Sequence, residues 1–177
     1  MSSTIRPMRE GLVVGLIAYV AVALFYAAFD ILAARGTLYT VDLLGKAVFR
    51  GLRDPGVLFL PSQPDVVAIF WYNALHFVLA LAIGLVVTSL VAYAATHPSH
   101  AWATMGVVAA GFVVTIALVG VVSTPIRPVL PWWSIVLANT LASVLAGTYL
   151  LARHPGLLGR LFPRGASTRP YPHLHSP

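Results

Sequence analysis

Apolar residues in this chain come in long unbroken runs divided by short polar stretches. Most of the sequence shows neither the alternation of a half-buried strand nor the narrow stripe of a soluble helix. About 20 residues of helix cross a hydrocarbon layer of about 30 Å. Four runs reach that length, at about 11–34, 66–95, 101–122 and 132–152. Continuous runs, too few to close a barrel, predict helices rather than membrane strands. The expected fold is therefore all-α, an integral-membrane four-helix transmembrane bundle over residues 1–152. A basic, proline-rich tail at 153–177, with one short apolar turn around Leu157 to Phe162, is expected to be disordered.

The breaks between runs carry turn chemistry. Pro98 in ATHPSHAW closes a tight turn because it has no amide hydrogen to donate. STPIRPVLPWW, from Ser123 to Trp133, holds three prolines and then a tryptophan pair suited to the head-group level. Arg6 and Arg9 resemble the basic start of a signal peptide, but the apolar run behind them is too long and no small-residue cleavage site follows. An uncleaved first helix is expected.

Between the first two spans, TVDLLGKAVFRGLR predicts an amphipathic helix over about 40–53, with Thr40 as N-cap and DPG at 54–56 as its end. Val41, Leu44, Val48 and Leu52 share one face, and Asp42, Lys46, Arg50 and Arg53 the other. Such a helix either lies in the membrane interface or packs over the mouth of the bundle. SQPD, Ser62 to Asp65, offers a capping box for the second span.

Composition narrows the classes. With 59% hydrophobic and 9% charged residues in 177, the chain is too apolar for an ordinary soluble domain. It has no cysteine, which excludes disulfides, thiolate metal sites and thiol catalysis. The net charge of +6 comes almost wholly from arginines flanking the spans, so the expected partner is the lipid bilayer and not nucleic acid. Four spans put both termini on one side. The arginines before the first span favour the cytoplasm for that side.

Polar residues inside the runs are the candidate chemistry. In FWYNALHF, Asn73 and His76 open the second span, and from His76 a stripe of Ala80, Gly84, Thr88 and Ala92 predicts a helix-packing seam. Tyr19, Ala23, Tyr26 and Asp30 form a matching stripe on the first span. Gly111 and Thr115 do so on the third, and Asn139, Ala142, Ser143 and Ala146 on the fourth. The topology puts Asp30, Asn73, His76 and Asn139, with Tyr26 and Arg127, in the leaflet opposite the termini. One polar cluster is geometrically allowed there. A carboxylate beside a histidine would relay a proton or hold a polar head group. The alternative is that these groups only hydrogen-bond across helices and fix their register. No metal or cofactor is expected: His76 has no facing mate, His97 and His100 sit in the opposite turn, and HExxH, phosphate-loop and GxSxG patterns are absent.

From YTVDLLGKAVFRG, Tyr39 to Gly51, through the histidine of WYNALHF, the layout resembles small four-helix bacterial membrane proteins of unknown function. The resemblance covers roughly the first half of the chain. It implies a multi-pass protein of a bacterial inner membrane and brings no activity with it. Two expectations stand side by side. One is a non-enzymatic accessory or assembly subunit that engages a membrane-protein partner or a second copy of itself. The other is a small-molecule, lipid or proton-handling protein with a pocket around His76 and Asp30.

Overall fold

The computed structural model describes residues 5–54 and 63–156. They form five α-helices and no strand: α1 (Ile5–Leu32), α2 (Tyr39–Phe49), α3 (Val66–Thr96), α4 (Ala101–Val122) and α5 (Trp132–Arg153). Short 3-10 turns at Pro98–His100 and Thr124–Ile126 lead into and out of α4. Four of the helices are long and apolar enough to cross a membrane. The expected tail, with its turn at 157–162, lies outside the described residues.

α1 is the hub, packing antiparallel along α3 and, less extensively, α5. Its approach to α3 is so close that only glycine fits. A Cβ on Gly15 would stand 2.6 Å from Ala80 O, and one on Gly84 would strike the α1 backbone at Gly11 and Gly15. α4 is held more loosely, and its buried residues (Ala101, Thr104 and Gly120) lie at its two ends. Outer faces remain apolar, with Leu24, Phe70, Val86, Val113 and Leu118 all exposed. That distribution suits a molecule whose solvent is hydrocarbon.

Two apolar clusters fill the interior. Val14, Val91, Ala94, Ala101, Ala146 and Leu150 pack at the end nearer the termini. Leu43, Leu44, Ile126, Leu130 and Ile135 pack at the other, drawing in Tyr26 and Tyr72. The second cluster exists because α2 folds down onto α3, α1 and the Thr124–Ile126 turn.

α2 departs from its expected form in three ways. Its N-cap is Leu38, which makes no side-chain capping bond, and Thr40 lies inside the helix. It ends at Phe49, before the DPG sequence: Gly51 takes φ +66°, and both Arg50 and Leu52 N–H donate to Lys46 O, at 2.9 Å and 3.2 Å. Its packed face is Thr40, Leu43, Leu44 and Ala47, whereas Val48 is exposed and Asp42 is buried. The face turns this way because α2 lies backbone-close to the start of α3, where a Cβ on Gly45 would stand 2.6 Å from Ala68 O. α2 thus packs over this end of the bundle, against α3, α1 and the Thr124–Ile126 turn. The cap of α3 also differs from SQPD: Asp65 is itself the N-cap, accepting from Ala68 N–H at 2.9 Å, and Ser62 lies outside the described residues.

Candidate functional site

Asp30, one turn from the end of α1, is only 1% exposed. A bare carboxylate there would be costly, so its partners define its role. It accepts from Thr40 N–H at 2.7 Å and from Thr40 Oγ1 at 2.6 Å. Thr40 N–H is one of the first-turn amides of α2 that the helix itself cannot satisfy. Asp30 is thus an N-cap supplied from another helix, placing negative charge at the positive end of the α2 dipole. Tyr26, one turn earlier on α1, has Ser134 of α5 as its side-chain hydrogen-bond partner and is near enough to Asp30 to feel its charge.

A second carboxylate continues the pattern. Asp42 pairs with Lys46 at 2.6 Å and accepts from Asp65 N–H at 2.7 Å, while Lys46 Nζ also donates to Gln63 O at 2.9 Å. Asp65 in turn caps α3 and pairs with Arg50 at 2.7 Å. The guanidinium beside it, and then the Ala68 amide, hold its carboxyl down at about 2. The three aspartates fasten α2 to the ends of α1 and α3.

The other half of the expected cluster lies deeper along α1 and α3. Tyr19 donates its hydroxyl to Asn73 Oδ1 at 3.3 Å, and the Asn73 amide donates to Ile69 O of its own helix at 2.9 Å. The His76 ring is half-buried between Tyr19 and Tyr72, with centroids 5.2 Å and 6.3 Å away. Among the described residues it makes no hydrogen bond, and no contact joins it to Asp30. Asn139 is not in this group; it donates to Ile135 O within α5 at 2.8 Å. Arg127 also stands apart, donating to Gly120 O at 2.5 Å with its guanidinium 4.3 Å from the Trp132 ring. The six residues therefore divide into an Asp30–Tyr26 group that holds α2, a Tyr19–Asn73–His76 group between α1 and α3, and two residues bound elsewhere. Among the described residues no carboxylate meets the histidine; Asp30 is bonded to Thr40 instead.

The seam residues divide as well. Ala80, Gly84 and Thr88 are buried against α1, the Thr88 hydroxyl without a partner among the described residues, and Ala142 and Ala146 are buried on α5. Gly111 is exposed, and a Cβ there would meet nothing within 4 Å.

Three further features lie outside the expected cluster and seams. Gly11 and Gly15, four apart on α1, make the tightest crossing. Their signal was the same small-residue spacing that marks α3. Glu10 and His154, at the termini-side ends of α1 and α5, meet at 3.0 Å. Arg35 lies over Phe29 and Tyr39, 5.1 Å and 5.0 Å from their centroids, and donates to Val129 O at 3.1 Å. The described residues include no group of three or more His, Asp or Glu side chains placed to hold a metal. No family model, no curated protein and no solved structure matches the chain.

Proposed function

We propose that this chain is a multi-pass protein of a bacterial inner membrane, with both termini in the cytoplasm, that acts without catalysis as an assembly or interaction subunit. The observation that carries this reading is the use of polar groups at membrane depth. Asp30 caps α2, Asn73 ties α3 to Tyr19, and Asn139 binds its own helix. Each is absorbed by the fold, and no pair is left in catalytic geometry. The surface offered to a protein partner or a second copy is the outward side of α4, where Gly106, Ala110, Gly111 and Ala117 are exposed and small enough for close helix approach.

The absence of native cysteine makes the test direct. Single cysteines at Ala110 and Ala117, and at Val86 on the outer face of α3, are oxidised in native membranes. Cross-linked product at the two α4 positions and none at Val86 is the expected result. Monomer at all three positions overturns the assembly reading.

A second reading rests on His76, whose ring nitrogens are unbonded among the described residues and leave a hydrogen-bonding site at membrane depth. It takes His76 as the contact for a lipid-soluble ligand. Native mass spectrometry from mild detergent, wild type beside His76→Ala, separates the two. A small-molecule mass that vanishes in the variant supports the ligand reading, and identical masses support the structural one.

A further inference from the structure

The mouth of the bundle opposite the termini holds two guanidinium groups that, among the described residues, pair with no carboxylate. Lys46 is paired with Asp42 and Arg50 with Asp65. Among the described residues Arg35 and Arg127 instead donate to backbone carbonyls, those of Val129 and Gly120, and lie against aromatic faces. In both, Nε is buried without an acceptor among the described residues. Each guanidinium has five N–H donors and a charge that a single carbonyl does not neutralise.

The same corner of the molecule has a shallow, open apolar groove on the surface of α5. Trp132 and Trp133 form its top, and Val136, Leu137 and Thr140 line its descent along the outer face of α5. The two arginines flank its top without lining it: Arg127 lies over Trp132, and Arg35 lies over Phe29, whose ring meets Trp133 with centroids 5.7 Å apart. α5 starts behind Pro131 with no side-chain cap, so the positive end of its dipole stands at the rim as well. At 1.5 Å per residue, Val136 to Thr140 lie about 6–12 Å deeper than Trp132. Positive charge at head-group level therefore sits above an apolar channel at acyl-chain level.

The geometry points to a specific site for an anionic phospholipid, its phosphate held by Arg35 and Arg127 and one acyl chain lying in the groove below Trp132 and Trp133. This rests on the membrane reading above. A soluble anion has no use for the groove, and a zwitterionic lipid brings a cation toward two guanidiniums.

The full chain is reconstituted into vesicles of equal parts phosphatidylglycerol and phosphatidylcholine. Co-flotation with the vesicles and resistance to alkaline extraction first establish insertion, and failure at that step refutes the membrane reading together with the site. The inserted protein is then released in mild detergent and its bound lipid identified by native mass spectrometry. Wild type is expected to retain phosphatidylglycerol over phosphatidylcholine by about fivefold or more. The Arg35→Gln/Arg127→Gln double variant is expected to fall to parity. Arg53→Gln, a charge removed elsewhere on the same side, is expected to match wild type. Leu137→Trp fills the groove from an exposed position and keeps both guanidiniums, and it is expected to lose the preference too. That variant decides the matter if the double variant fails to fold. Parity in wild type, an unchanged preference in the double variant, an equal loss in Arg53→Gln, or no effect of Leu137→Trp each overturns the site.

Discussion

Leu38 precedes α2 without a side-chain acceptor, and the amide of Thr40 in the first turn depends on Asp30, ten residues before it. Truncation at the two ends of this bond is unequal. Asp30→Ala removes the acceptor for both the amide and the hydroxyl of Thr40 and leaves them buried. The expected cost is about 2–3 kcal/mol, combining a lost cap with unsatisfied donors. Thr40→Ala keeps the amide bond and is expected to cost about 1 kcal/mol. Thermal unfolding in mild detergent reads this order, and hydrogen exchange at the α2 amides reads its location. Equal losses would mean that Asp30 does not act as the cap. Asp65 carries a pH prediction. Its folded carboxyl is held at about 2, below the ordinary 3.8, by Arg50 and the Ala68 amide. A depressed pKa stabilises the fold fully above the unfolded value, and that contribution is lost as pH falls from about 4 toward 2. A carbon-detected titration should find the Asp65 midpoint near 2 in wild type and nearer the ordinary carboxylate value in Arg50→Gln. A midpoint that stays low in the variant would assign the effect to the Ala68 amide instead. Asp30 stood out in the sequence because a carboxylate in an apolar run has few excuses. Its partner did not stand out, because Thr40 before a helical run reads as that helix's own cap.

Among the elements, helix existence was plain in the sequence and helix facing was not. The spans show themselves by length and hydropathy, which no tertiary contact alters, and their observed bounds fall within a few residues of those expected except at the start of α1. Facing is normally read from an apolar stripe against a polar remainder. α3 and α4 are apolar all round, so the buried and outward sides differ only in residue size. Size alone identified Ala80, Gly84 and Thr88, which are buried, and equally Gly111, which is not. α2 does have two chemically distinct faces, yet its contact with α3 brings Asp42 inward, because Lys46 and the Asp65 amide satisfy that carboxylate there. The glycines give this distinction a test. Gly15→Ala drives a methyl into Ala80 O and should destabilise by about 1–3 kcal/mol, as overpacking does. Gly111→Ala meets nothing and gains helix propensity of up to about 1 kcal/mol, so its melting temperature should hold or rise. Matching losses at both positions would show that α4 is packed through Gly111 after all.

For the whole molecule, the chain order of four spans divides charge unevenly between the two ends of the bundle. Six arginines and the only glutamate flank the spans on the termini side. Five basic residues and all four aspartates lie on the other. The structure shows why the second group is mixed: three of its four aspartates, Asp30, Asp42 and Asp65, are used in capping α2 and α3 and in pairing with Lys46 and Arg50. The counts of basic residues are nearly equal, and what separates the two ends is that acids accompany the bases on one of them. On the proposed reading an anionic cytoplasmic leaflet attracts the more positive end, which would put the termini and the Pro98–His100 turn in the cytoplasm and α2 on the far side. Gly36 and Ser99 suit a test because both are exposed, lie on opposite ends of the bundle, and Gly36 has open space around its Cβ position. In intact cells, a membrane-impermeant maleimide should label Gly36→Cys at once and Ser99→Cys only after permeabilisation. The reverse pattern would invert the orientation and leave the fold untouched. Labelling of both in intact cells would remove the premise that these helices span the membrane at all.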